Sequence, residues 1–184
     1  MDAYYTTPLG PFHPAPGAAF TTFTTKQNVS PDPVPVIQAG QLRLGSILEI
    51  EADGEISSTG SPTMVFGLFL GALGASSAPS IVATLAESGA QTIGATAAAW
   101  PWRLNYEGRV TLLGTSGTIV GQGEIKWGTS LTAWTSAPLP ITQALRTVTV
   151  DTTIQRAIGV CGTWSASSVS NSIKVLSLRA NLHN

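Results

Sequence analysis

Two runs of strict alternation do most to limit what this chain can fold into. In the first, Leu104, Tyr106, Gly108, Val110 and Leu112 interleave with Arg103, Asn105, Glu107, Arg109 and Thr111. In the second, Ile119, Gly121, Gly123, Ile125 and Trp127 interleave with Thr118, Val120, Gln122, Glu124 and Lys126. Successive side chains of a strand point to opposite faces, so a period of two marks a half-buried strand. Between the runs stands Gly114-Thr115-Ser116-Gly117, a short glycine-flanked turn. The whole reads as one long antiparallel hairpin. Its apolar face belongs to a core, and its polar face is wet or lies between subunits.

Other segments repeat the signal. Leu42, Leu44, Leu48 and Ile50 share one parity, against Arg43, Glu49 and Glu51, and Ala52-Asp53-Gly54-Glu55 reads as the following turn. Thr63 to Leu70 is almost continuously apolar, as in a strand covered on both faces. Ser80 to Glu87 is an apolar strand or a short helix, which period alone does not separate. Leu145 to Asp151 is β-branched, and Arg156 to Trp164 places Ile158, Val160 and Trp164 against smaller residues. Ser172 to Leu182 begins with Ile173 and Val175, then changes parity to Leu176, Leu178, Ala180 and Leu182, which predicts a β-bulge near Val175–Leu176. About eight strands with frequent turn signals and no long helix predict an all-β fold, a jelly-roll-like antiparallel β-sandwich over residues 39–184.

Residues 1–38 differ. Prolines at 8, 11, 14, 16, 31, 33 and 35 favour extended backbone without internal hydrogen bonds. Unlike a disordered linker, the segment is rich in aromatic and aliphatic residues. It reads as an extended Pro/Thr-rich arm whose apolar side chains dock on the chain's own body or, in the sharper reading, on a neighbouring partner. Leu9, Phe12, Phe20 and Phe23 are the expected anchors.

Composition matters for partners. Only 10% of the residues are charged and 43% are hydrophobic, against about 25% charged in an ordinary soluble domain. A surface so poor in charge suits a protein largely covered by partners. The formal net charge of −1 offers no broad attraction for phosphates, so no nucleic acid is expected. The longest apolar run, Met64 to Leu73, is too short to span a membrane and contains two glycines. Met1 to Pro8 shows no basic start and no apolar segment of a secretory signal.

Catalytic patterns are not apparent. His13 lies in the arm and His183 beside the C-terminus, and no Cys, His or carboxylate spacing fits zinc. No Gly-x-Ser-x-Gly motif is present. Gly67, Gly71 and Gly74 lack the lysine and helix of a phosphate loop. Glu49, Glu51, Asp53 and Glu55 suggest a solvated strand that discourages edge pairing, with calcium binding the less favoured alternative. Cys161 stands alone, allows no intrachain disulfide and reads as a small buried hydrophobe. Trp100-Pro101-Trp102 offers a surface platform for carbohydrate or peptide, or else fills the core. The reading is therefore a non-enzyme with no cofactor, no metal and no membrane contact.

Three stretches carry a resemblance: Thr6-Thr7-Pro8-Leu9-Gly10-Pro11-Phe12-His13-Pro14, the junction Val34 to Arg43, and Leu139-Pro140-Ile141-Thr142-Gln143-Ala144-Leu145-Arg146-Thr147-Val148. Together they resemble small virion structural proteins of tailed phages that infect actinobacteria. The resemblance implies a head-decoration or minor capsid role. It implies β-sandwich subunits, commonly homotrimeric, made in the host cytoplasm and bound to the capsid exterior on the major capsid protein. The alternative is a carbohydrate- or receptor-binding module of a tail or fibre, with Trp100 and Trp102 as its platform.

Overall fold

The computed structural model describes residues 6–10, 16–74, 78–130 and 132–184. Four short strands come first: β1 (Thr6–Pro8), β2 (Phe20–Thr21), β3 (Gln27–Asn28) and β4 (Val36–Ile37). The body follows with β5 (Ile47–Ser57), β6 (Thr63–Ala72), β7 (Ser80–Thr92), β8 (Trp100–Leu112), β9 (Gly117–Gly128) and β10 (Trp134–Leu139). A 3-10 turn, Gln143–Arg146, leads into β11 (Thr147–Val150), β12 (Arg156–Trp164) and β13 (Ser172–His183).

These strands form two antiparallel sheets, a β-sandwich. The larger runs β1-β13-β5-β8-β9-β10, with β2 also on β13 and β11 also on β9. The smaller runs β3-β12-β6-β7, with β4 also on β12. The hairpins β6–β7 and β8–β9 each stay within one sheet, and β5 pairs with β13 while β6 pairs with β12. These pairings make a sandwich; they do not by themselves make a jelly roll.

The core lies between the sheets. Met64, Phe66, Leu68 and Leu70 of β6, with Ile158, Val160 and Trp164 of β12, join one buried cluster with Leu48, Ile50, Leu104, Ile125 and Leu178 of the larger sheet. Phe66 sits between two indoles, 5.8 Å from Trp102 and 6.1 Å from Trp127 by ring centroids. Tilted pairs of this kind contribute about 0.5–1.5 kcal/mol each beyond their buried area.

The expected β8–β9 hairpin forms, with Leu104 opposite Ile125 and Gly108 opposite Gly121, and its register shifts between Val110 and Leu112. The bulge on β13 is also present, where the register with β5 shifts between Val175 and Ser177. Three expectations need correction. Residues 52–55 make no turn: β5 runs straight through them. Leu42 and Leu44 precede that strand in a turn region, with Leu42 buried and Leu44 exposed. The Pro-containing stretch before residue 140 holds β10, because an edge strand tolerates Pro138.

The arm is not a separate body. β1 and β2 extend the larger sheet, and β3 and β4 extend the smaller one. Main-chain bonds from Leu9 N to Ala180 O (2.9 Å) and from Ile158 N to Pro35 O (2.8 Å) carry it across from β13 to β12. Residues 6–10 and 16–38 therefore close one side of the sandwich that the described residues beyond 38 build.

Candidate functional site

Burial decides first which expected site residues are available. Leu9 is 6% exposed and Phe23 4%, both in the chain's own core, and Phe20 is half-buried against that core. These three anchors dock on their own subunit rather than on a neighbour, because the open side between β12 and β13 supplies the apolar surface they need. Phe12 lies outside the described residues. Trp102 is 1% exposed and donates through Nε1 to Glu55 O at 3.3 Å, so it is no surface platform. Trp100 is half-buried, packed against the core beside Gly94. Cys161 is buried, and desolvation pushes its thiol up to about 12.

What remains open is the outer face of the larger sheet. Cross-strand register stacks its polar residues into rows. One row reads Asn181, Glu49, Glu107, Gln122 across β13, β5, β8 and β9. The next reads Arg179, Glu51, Asn105, Glu124, Pro138 and reaches β10. A third reads Ser177, Asp53, Arg103, Lys126, Ser136. Neighbouring strands lie about 4.8 Å apart, so each row is a ladder of adjacent side chains.

The first two rows floor a groove of about 770 Å³. Pro8, Gly10 and Pro35 of the arm line it too, as do Leu139 and Arg146 from β10 and the 3-10 turn. Some of the polar groups on this face are paired. His183 Nε2 lies 2.8 Å from Glu49 Oε2, while His183 Nδ1 is 2.9 Å from Thr6 Oγ1 on β1. Lys126 Nζ lies 2.9 Å from Glu124 Oε2. Hydrogen bonds from Lys126 and then Ser136 hold the Glu124 carboxyl below the usual carboxylate range. The Ser177 hydroxyl donates to Asp53 Oδ1. Arg146 Nε is buried without a hydrogen-bond partner among the described residues.

This face holds much of the chain's charge. Six of the ten acidic residues (Glu49, Glu51, Asp53, Glu55, Glu107, Glu124) and five of the nine basic ones (Arg103, Arg109, Lys126, Lys174, Arg179) lie on it. The acidic series of β5 is one column of this array. Among the described residues, no three of His, Cys, Asp and Glu are grouped to hold a metal ion. Chemically the groove offers carboxylate acceptors, guanidinium donors, and amides that do both.

Sequence reasoning found the polar parity of β8 and β9 but not the groove. Which strands lie side by side is a tertiary fact, and Arg146 arrives from a turn some 20 residues further along the chain. No family model and no curated protein matches this sequence. Among solved structures, arcelin-5, a lectin-like defense protein from Phaseolus vulgaris, is similar at 8% identity and a TM-score of 0.39, over 98% of this chain and 97% of that one.

Proposed function

We propose that this chain is a structural virion protein, a capsid-decoration subunit that binds the outside of a phage head and stabilises it by binding, not by catalysis. Its partners in this reading are the major capsid protein and further copies of itself, as a homotrimer. The observation that carries the reading is the segregation of charge onto one sheet face. The remaining surface is poor in charge, and burying uncharged surface avoids the desolvation cost of ions. One end of the sandwich is especially suited to contact. There Leu44 is 69% exposed, and Leu112 and Leu113 are exposed as well. The bond from Gly45 N to Val110 O, 2.9 Å, brings these residues to the same end.

Two measurements test the proposal. Light scattering should give a mass above that of the 19.0 kDa chain, and the protein should co-sediment with phage shells. Leu44→Asp with Leu112→Asp should abolish co-sedimentation while leaving the circular dichroism spectrum unchanged. A monomer that ignores shells overturns the reading.

A further inference from the structure

We propose that the outer face of the larger sheet is a binding site for an oligosaccharide, laid over the groove and reaching Trp134. The proposal does not rest on the capsid reading. Its first support is the lining. Carboxylates at Glu51 and Glu107, amides at Asn105 and Gln122, and guanidinium groups at Arg146 and Arg179 converge on one cavity. Hydroxyl groups both donate and accept, so a polyol is the ligand class that satisfies a mixed set of this kind.

A second support is independent of the first. Trp134 is 57% exposed, whereas Trp102, Trp127 and Trp164 are buried and Trp100 is half-buried. It shares strand parity with Ser136 and Pro138, whose neighbours on β9 are Lys126 and Glu124. Its indole therefore stands on the grooved face. An exposed indole on a rigid strand offers a flat apolar area at low entropic cost, suited to the apolar face of a sugar ring. From Pro138 at the groove to Trp134 is four residues, about 13 Å along a strand. That separation calls for several linked sugars rather than one. A third support is Arg146 Nε, a buried donor with no partner among the described residues, beside the cavity.

Other occupants fit less well. Glu49, Glu51, Glu107 and Glu124 outnumber Arg146 and Arg179 in the lining, which disfavours a phosphate backbone. An added peptide strand needs a free sheet edge: β5, β8 and β9, which floor the groove, are paired on both sides, and at the edge strand β10 the groove-lining Pro138 has no N–H to offer a ladder. A wholly apolar ligand would leave the polar floor desolvated and unpaired.

The test applies the full chain to an array of neutral glucose, galactose, mannose and N-acetylglucosamine oligomers, followed by titration calorimetry with the best binder. The proposal expects saturable binding with a blue shift of tryptophan fluorescence. Trp134→Ala should weaken it by at least about tenfold, and Asn105→Ala and Arg146→Ala by about three- to tenfold each. All three variants should keep the wild-type melting temperature and shell co-sedimentation, which separates this site from the docking end. Failure of the wild-type protein to bind any oligomer overturns the proposal. Binding that survives both Trp134→Ala and Asn105→Ala overturns it as well.

Discussion

At the scale of single residues, glycines and aromatics are fitted to each other. Gly54 faces Trp102 across β5 and β8, and a Cβ there would press on the Lys174 carbonyl and lie 2.7 Å from Trp102 Cζ2. That is why Ala52-Asp53-Gly54-Glu55, with the composition of a turn, is a strand: the glycine makes room for an indole. Gly54→Ala should cost about 2–3 kcal/mol in urea denaturation, because neither backbone nor core indole can retreat. Tyr106 presents the reverse case. Its ring covers Gly108 and Gly121, and its hydroxyl is buried without a partner among the described residues. Tyr106→Phe removes that unpaired group, so it should be neutral or stabilise by up to about 1 kcal/mol in the same assay. Titration gives a further prediction. Burial raises the Cys161 thiol from 9.0 to about 12 and the Tyr106 phenol well above its ordinary range. Both groups are held neutral in the fold, so their contribution is intact below about pH 8. It falls as pH rises from about 9 towards 12, where the unfolded chain ionises first. Cys161→Ala should flatten the lower part of that decline in a pH series of denaturation curves.

At the scale of elements, the arm is the instructive case. Its prolines and aromatics predict extended backbone with docked side chains, and residues 6–8, 20–21, 27–28 and 36–37 are short strands. What the composition does not contain is the address. Leu9, Phe23, Val29, Val34 and Ile37 are buried in the core their own chain makes. Phe23→Ala should therefore cost about 3–5 kcal/mol by chemical denaturation. Removing residues 1–37 should leave a chain without a cooperative transition, rather than a folded domain that has lost only a partner. β7 shows another element-level device. As an edge strand of 13 residues it invites pairing, and its register with β6 shifts three times. Such irregularity twists an edge away from foreign strands.

At the scale of the whole molecule, the sandwich sorts its surface into a charged, grooved face and an apolar end at Leu44 and Leu112. The two proposals use different regions, so variants at Trp134 and at Leu44 should separate sugar binding from shell binding in the two assays described above. The sequence by itself determined what depends on local periodicity. Alternation at 103–112 and 118–127 fixed the hairpin, and the parity change after Val175 fixed the bulge, because each follows from side chains alternating between faces. Tertiary structure alone decided which strands became neighbours. Glu49, Asn105, Gln122 and Arg179 are scattered along the chain, and they share one groove only because β13, β5, β8 and β9 lie side by side. It also decided that Trp102 is core while Trp134 is surface. An indole carries no mark of its destination; the packing partner does, and here Trp102 found Phe66 and Gly54 while Trp134 stands at a sheet edge facing solvent.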